Sequence, residues 1–398
     1  MKGVALMSLI DEVGKKDGGA LFFKADLHIH SPVSKCYNQS EISPRDIVDT
    51  AIKNDLSIIA ITDHNSEGWF EKVSNEVKDD ENLLVLPGVE ITTPQGAPGQ
   101  IHMLAIFNPD DCHKVNELLI KIGIPHEKRG APDAVADKNI PEIMEIINKM
   151  DGISILSHVD SNGGLDVEMP AQNPTKNKIL YSKYLEGVEI TEIGTLRNYE
   201  NFACIQNSDA HSLDEIGQRY TLIKMGTPSF EGLRQALGDH ESRIKYKDDN
   251  LWNYPQIVGI KFDGGFLDGQ VICFNKSLNC LIGGKGTGKS TIIELIRYGF
   301  DMLSDTTKIE ENEEGQIKDV LGSGKLSIVV KTKEGEQYII ERMHGMDPKI
   351  LREDEEEVKI DIKRFRDEFF KIEAYSQNEL LEIARNFKSQ LNMIDLLC

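Results

Sequence analysis

Apolar residues in this chain fall in short runs, and between the runs apolar positions recur at three- and four-residue spacing. Runs near 21–29, 56–61, 83–86, 101–107, 153–156, 187–190, 202–206 and 220–224 predict strands. Stretches 43–54, 69–78, 111–121, 141–149 and 229–237 predict helices between them. The first of these is well marked: Ser43 suits an N-cap, Pro44 suits the first helical position, and Ile47, Val48, Ala51 and Ile52 form one apolar stripe. Residues 125–137 and 161–177 are polar and turn-rich and read as loops. Strands alternating with helices predict a parallel sheet, and about seven such units suit a closed or nearly closed α/β barrel.

The pattern changes near residue 248. Segment 248–255 reads as a linker, and 257–262 with 271–274 alternates like hairpin strands. Leu278-Asn279-Cys280-Leu281-Ile282 reads as a buried strand entering a glycine-rich loop and a helix. Segments 325–331 and 337–342 predict a second hairpin. The acidic runs 310–314 and 353–357 read as solvated loops. The expected division is an N-terminal arm (1–20), a barrel domain (21–247), the linker (248–255) and a second domain (256–398).

Composition narrows the classes. A chain of 398 residues suits two or three domains, and 39% hydrophobic with 28% charged residues suits packed cores. A net charge of -21 excludes a general nucleic-acid binder of the basic-patch kind, although bound divalent metals can hold a nucleic acid locally. Six cysteines without a C-x-x-C pair indicate neither a zinc ribbon nor a disulfide framework and point to a reducing cytoplasm. No run of ~20 apolar residues is present, so no membrane span is expected.

Chemistry gathers at the predicted strand ends. Asp26, His28 and His30 alternate on one strand and so share a face, opposite Leu27 and Ile29. Asp63-His64, Glu90, His158 and Asp209-Ala210-His211 also follow strands, and in a barrel those ends share one mouth. His102 fits less well, because it opens its strand. Of ten histidines, six lie at these places, which points to a multinuclear metal centre. Mixed imidazole and carboxylate ligands suit zinc, manganese or iron. In the second domain Gly283-Gly284-Lys285-Gly286-Thr287-Gly288-Lys289-Ser290-Thr291 fits the P-loop pattern. Its backbone N–H groups would curl round the phosphates of ATP, Lys289 would reach the β and γ phosphates, and Ser290 would bind Mg²⁺.

Asp26-x-His28-x-His30, Thr62-Asp63-His64-Asn65, Pro87-Gly88-Val89-Glu90, His102, His158 and Ser208-Asp209-Ala210-His211 together resemble the PHP (polymerase and histidinol phosphatase) family. The resemblance implies a distorted (β/α)7 barrel that holds two or three divalent metals and hydrolyses phosphate esters. It implies that His28, His30, Glu90 and Asp209 hold one metal, that Glu90 bridges to a second with His102 and His158, and that His64 and His211 hold a third. Some members carry a further histidine where this chain has Cys36, which reads as a bystander or else as a substitute ligand, and on that the filling of the third site depends. Glu90 and Asp209 would position the attacking water between the metals. Asp26, Asp63 and Glu192 would stand behind the ligands and orient their histidines.

Ile372-Glu373-Ala374-Tyr375-Ser376-Gln377 resembles the Q-loop of SMC- and ABC-type ATPase heads, with Gln377 as the glutamine that senses Mg²⁺ and the γ-phosphate. An apolar strand ending in Asp-Glu and a Ser-Gly-Gly signature loop are not found. The second domain therefore reads as the N-terminal half of such a head, to be completed by a second polypeptide or a further C-terminal half. It is expected to bind ATP without turning it over. The whole resembles the TrlF-like PHP–ATPases of bacteria. That implies a nucleotide-gated phosphodiesterase or nuclease acting on nucleic acid, in processing or phage defence, working as a homodimer or higher assembly. A phosphomonoesterase on a small metabolite and an assembly module with a degenerate barrel remain as alternatives.

Overall fold

The structure, a computed structural model, describes residues 9–14, 18–39, 41–95, 100–169, 171–246, 254–303, 307–354, 356–387 and 390–391. The chain divides into two compact units, Ala20–Asp248 and a second made of Met1–Gly19 with Asp249–Cys398. Most of the expected linker, residues 248–253, lies outside the described residues.

The first unit is one nine-stranded sheet in the order β7-β6-β5-β4-β3-β2-β1-β8-β9. The strands are β1 (Leu21–Ile29), β2 (Leu56–Ile61), β3 (Leu84–Thr92), β4 (His102–Ile106), β5 (Ile153–Leu156), β6 (Gly187–Glu189), β7 (Cys204–Ile205), β8 (Thr221–Met225) and β9 (Ile244–Lys245). β1, β2 and β3 are parallel, as are β5, β6 and β7. Beyond β7 the chain pairs with the end of β1 through a parallel bridge between Ala210 and Ile29. His30 N–H donates to Ala210 O at 3.0 Å and Ala210 N–H to His28 O at 3.3 Å. That contact closes the run of strands from β7 to β1 into a barrel-like wall.

The sheet is mixed rather than wholly parallel. β4 runs antiparallel to both β3 and β5, and β8 and β9 are antiparallel additions beside β1. A reversed strand begins where its neighbours end, so the first residue of β4, His102, lies at the same mouth as the other ligands. The expected alternation on β1 also fails in part: its pairing shifts between Asp26 and Ile29, and Leu27 and Ile29 belong to different apolar clusters.

The helices follow their local signals. Pro44–Lys53 has a reciprocal capping box between Ser43 and Asp46, and Ile140–Lys149 has one between Asn139 and Glu142. The expected helix at 69–78 is only Phe70–Ser74, and the expected loop at 161–177 contains the short helices Leu165–Glu168 and Pro174–Leu180. One apolar cluster joins Leu27, Ile58, Ala60, Leu104 and Ile205 to Leu233 and Leu237 of the helix Phe230–Gly238.

The second unit has a five-stranded antiparallel sheet in the order β11-β10-β12-β13-β14, comprising β10 (Gln256–Asp263), β11 (Val271–Cys273), β12 (Lys325–Lys331), β13 (Gln337–Met343) and β14 (Lys349–Arg352). The N-terminal helix Leu9–Gly14 is part of this unit rather than a separate arm. Its Ile10 and Val13 pack with Val329 and Ile339, and Glu12 pairs with Lys261 at 2.7 Å. The acidic run near 310 lies within a helix, Thr307–Leu321, not a loop. Residues 278–282 form no strand, and Leu278 and Ile282 are exposed. Their apolar pattern suits a strand, but no strand of the described residues pairs with them, and periodicity cannot supply a partner. No helix among the described residues is long and apolar enough to cross a membrane.

Candidate metal centre

β1 delivers His28, and His30 follows one residue beyond it; both are fully buried. His28 Nδ1 lies 2.9 Å from Glu189 Oε2. That carboxylate also accepts from His158 N–H and the Asn207 amide, so it acts as an acceptor and His28 carries its proton on Nδ1. His30 Nδ1 lies 3.1 Å from Ser34 Oγ. The single Ser34 hydroxyl proton goes to Asp63 Oδ1 at 2.6 Å, so His30 must donate to Ser34 and also holds its proton on Nδ1. His211 Nδ1 lies 2.9 Å from the Asp209 carbonyl, which can only accept. In the neutral form each of these three rings then leaves Nε2 for a ligand.

Those lone pairs converge. His28 Nε2 and His30 Nε2 are 3.2 Å apart, and Asp209 Oδ1 lies 3.4 and 3.3 Å from them. Glu90 stands at the centre, on β3, 1% exposed. Its Oε1 meets His102 Nδ1 at 3.0 Å and His158 Nε2 at 3.1 Å; its Oε2 meets His64 Nδ1 at 2.9 Å and His28 Nε2 at 3.4 Å. The short His64–Glu90 approach lacks hydrogen-bond geometry, and both atoms are buried without a hydrogen-bond partner. Donor atoms within 4.8 Å of one another form three sets: His28, His30 and Asp209; His64, Glu90 and His102; and His30, His64 and His211. Facing lone pairs, two carboxylates and orphaned buried atoms fit divalent cations, and the donor set fits zinc, manganese or iron.

The electrostatics carry the same imprint. Burial opposes charge on His28, but Glu189, Asp209 and Glu90 outweigh it and hold its pKa well above the ordinary value. Burial, reinforced by His64 and His28, pushes His30 down to about 3. Burial also opposes charge on Glu90, yet the surrounding His64, His28 and His102 hold its pKa well below the carboxylate range. Three non-glycine residues at this rim, Asn65, His158 and Asp209, have positive φ values of 47°, 28° and 54°. Such backbone strain concentrates where side chains must be aimed.

The supporting residues differ from expectation in two places. Asp26 meets no imidazole among the described residues, although it accepts from the His28 backbone N–H. It accepts from Ser208 N–H at 3.0 Å, Ser208 Oγ–H at 2.6 Å and Gly217 N–H at 2.9 Å, and so holds the loop that carries Asp209 and His211. Glu192 is exposed, its backbone N–H donates to Asp160 Oδ2 at 3.0 Å, and no hydrogen bond or ion pair among the described residues joins its carboxylate to a histidine. The acid that meets His28 is Glu189, which ends β6 as Glu90 lies near the end of β3. An acid closing an apolar strand was the available signal. Asp63 meets His30 through Ser34, which had no signal beyond its spacing from His30.

In the second unit, residues 283–288 and Ser290 are exposed ahead of the helix Lys289–Gly299. Gly286 and Gly288 have φ of 80° and 84°, a conformation that glycine adopts without strain. Lys289 Nζ donates to Gly283 O at 2.9 Å and Gly284 O at 2.6 Å, and Thr287 Oγ1–H to Gly284 O at 2.9 Å. Lys285 and Thr291 lie in the same loop and first helical turn. Gln377 opens the helix Gln377–Arg385 and is exposed; no hydrogen bond among the described residues joins it to the loop.

Comparison with known proteins places both units. Residues 26–196 match the PHP domain, 197–241 the PHP-associated segment, and 261–397 an AAA domain. The chain thus carries a PHP domain with its PHP-associated segment, followed by an SMC-like AAA domain. No curated protein gives a sequence match. Among solved structures, Endonuclease Q in complex with a 27-mer duplex bearing an abasic lesion is 18% identical with a TM-score of 0.47, over 60% of this chain and 63% of that one. The lesion-specific endonuclease of Pyrococcus furiosus is 15% identical at 0.46, over 80% and 95%. A Bifidobacterium adolescentis protein provisionally designated a metal-dependent phosphoesterase is 16% identical at 0.37, over 54% and 95%. Likeness of this size carries no assignment of substrate.

Proposed function

We propose that this chain is a metal-dependent phosphodiesterase acting on nucleic acid, with its PHP centre controlled by nucleotide at the P-loop. The observation that carries the reading is the convergence of six histidines, Glu90 and Asp209 on one mouth, with the inner histidines tautomerically set to face inward. His28, His30, Glu90 and Asp209 would hold one cation, Glu90, His102 and His158 a second, and His64 with His211 a third. Bound divalent cations supply Lewis acidity toward phosphoryl oxygens and make water a nucleophile near neutral pH. The chain's own residues do the rest. Glu189 and the Asp63–Ser34 pair keep protons on the outer ring nitrogens, so the inner ones stay available as ligands. Asp26 and Ser208 hold Asp209 at the rim, where it is 31% exposed and can face both cation and substrate.

The attached P-loop unit favours a polymeric substrate, since a small phosphomonoester needs no nucleotide-driven step. In this reading ATP and Mg²⁺ bind at Gly283–Thr291, a second polypeptide or a further C-terminal half completes the ATPase head, and the protein works as a homo-oligomer in the cytoplasm, in nucleic-acid processing or phage defence.

The test is parallel assay of the full chain on single- and double-stranded DNA, RNA and p-nitrophenyl phosphate, with and without ATP, beside a His28→Ala/His30→Ala control. Metal-dependent cleavage of nucleic acid, absent from the control and altered by ATP, is expected. Turnover of the monoester alone would move the assignment to a metabolite phosphatase. Activity equal to that of the control would leave only an assembly role.

A further inference from the structure

Beside the metal mouth, the loop that follows the helix His113–Lys121 is sewn to the chain at or just beyond the ends of β1, β2 and β3. Gly130 N–H donates to His64 O at 3.0 Å, Lys35 N–H to Gly130 O at 2.8 Å, Asn65 Nδ2–H to Ala131 O at 3.0 Å and Thr92 Oγ1–H to Pro132 O at 2.7 Å. Gly130 has a φ of +77°, and a Cβ there would fall 2.3 Å from Val33 O, so the loop has one path past the rim. This loop and the helix before it border a cavity of about 490 Å³, the size of a small-ligand site. Ile120, Ile124 and Pro125 give it an apolar wall, and Asn116, Glu67 and Arg129 a polar edge. Ile120 is 66% exposed there, an apolar side chain that the fold leaves uncovered. The Arg129 side chain is only 9% exposed, and its Nη1–H donates to Glu67 Oε2 at 2.8 Å, which fixes the guanidinium plane. Its Nε is buried without a hydrogen-bond partner, and its Nη2 makes no hydrogen bond among the described residues.

We infer that this cavity is a guanine site, which takes the base of a nucleotide flanking the scissile phosphate. The inference rests on the nucleic-acid reading of the metal centre and adds a base preference to it. Nε–H and Nη2–H are the two donors of a guanidinium fork, and guanine offers the two acceptors O6 and N7 on one edge. Adenine puts a donor amine beside N7, and the pyrimidines have no N7, so neither satisfies both donors. Glu67 on Nη1 offsets the Arg129 charge, which suits a neutral base edge better than a phosphate. The wall of Ile120, Ile124 and Pro125 then covers the ring face. The backbone bond between Gly130 and His64 sets the cavity next to a candidate ligand, so a strand whose phosphate lies on the cations can seat a neighbouring base there.

Equilibrium binding to the full chain tests the site without reference to catalysis. The probes are fluorescein-labelled, phosphorothioate-linked thymidine oligomers, either all thymidine or with a single guanine placed at each position in turn, read by anisotropy. Guanine at one position should tighten binding roughly 10- to 100-fold over the all-thymidine strand. Replacing that guanine by 7-deazaguanine, which removes the N7 acceptor and leaves the protein untouched, should abolish the gain. Arg129→Lys should bring the ratio of the two affinities to about one, because an ammonium cannot reproduce the fork. Ile120→Glu, a change at an exposed position that folding tolerates, should do the same by setting a carboxylate against the fork. A wild-type protein that binds every strand equally, or a guanine gain that survives 7-deazaguanine or Arg129→Lys, would overturn the guanine site and leave the nucleic-acid reading standing. Equal binding of all strands that Arg129→Lys weakens would give the fork to a backbone phosphate and also overturn it. No binding of any strand would overturn both.

Discussion

At the scale of single residues, the site depends on side chains that touch no substrate. Ser34 receives the His30 proton, gives its own to Asp63 and accepts the His64 backbone N–H at 3.0 Å. Ser34→Ala should therefore release the tautomer of His30 and leave a buried carboxylate short of a donor. Metal affinity should fall roughly 10- to 100-fold, as measured by competition with a chromophoric chelator. Glu189→Gln should weaken affinity over a similar range, roughly 10- to 100-fold, because an amide oxygen polarises the His28 ring less than a carboxylate does. Glu192→Gln, at an exposed side chain, should leave affinity unchanged in the same assay. Gly68 shows how closely Asp63 is hemmed in: its φ is +61°, and a Cβ there would lie 2.2 Å from Asp63 Oδ2. Gly68→Ala should lower the melting temperature and the metal affinity together, since Asp63 must move.

At the scale of elements, loops after consecutive strands are tied to one another. Asp160, in the loop after β5, accepts from Thr191 N–H at 2.8 Å, Glu192 N–H at 3.0 Å and the hydroxyls of Thr191 and Thr195 at 3.0 and 2.8 Å, all beyond β6. Burial alone would raise its pKa, but these donors outweigh burial and hold it below the ordinary carboxylate value. A depressed folded-state pKa adds stability above the unfolded value and loses it as pH falls through the folded one. Asp160→Asn should thus be less stable than wild type at pH ~7, with the gap closing as the solution is acidified below pH ~4, read from denaturant midpoints.

In the second unit, Arg297 on the P-loop helix is 1% exposed and pairs with Glu294 and, at 2.7 Å, with Glu379. Glu379 also caps the helix that Gln377 opens, accepting from Ser376 N–H at 2.7 Å. Arg297→Met would take its partner from the buried Glu294 carboxylate and the half-buried Glu379, and should cost about 3–5 kcal/mol in the unfolding of this unit.

β4 and residues 278–282 show what local pattern can and cannot reveal. Both read correctly as apolar runs. Strand direction is invisible to periodicity, so His102 looked misplaced until β4 proved to be reversed. Strand pairing is invisible too, so Leu278 and Ile282 looked buried although they are exposed.

At the scale of the molecule, two units with separate apolar cores should respond separately to their ligands. Ligands that bind only the folded state add stability by mass action, about 3 kcal/mol at a hundredfold excess over Kd. Chelation of divalent metal should lower the melting of the unit 20–248 and leave the other transition in place. ATP with Mg²⁺ should raise the second transition in wild type but not in Lys289→Ala. Differential scanning calorimetry of the full chain reads both, and a single transition that moves with either ligand would contradict separate cores.

The sequence by itself picked out the candidate ligands and the candidate phosphate loop. Histidines at strand ends and a glycine-rich loop before a helix are signals written in spacing, because strand and helix periods are local properties of the backbone. Tertiary structure alone decided which partners those residues meet. Glu189 stands 161 positions from the imidazole that it holds, and Ser208 stands 182 positions from Asp26. Contacts across such distances follow from strand direction, register and closure of the sheet. No local window of sequence contains them, and they turn a set of plausible ligands into one centre with its protons already placed.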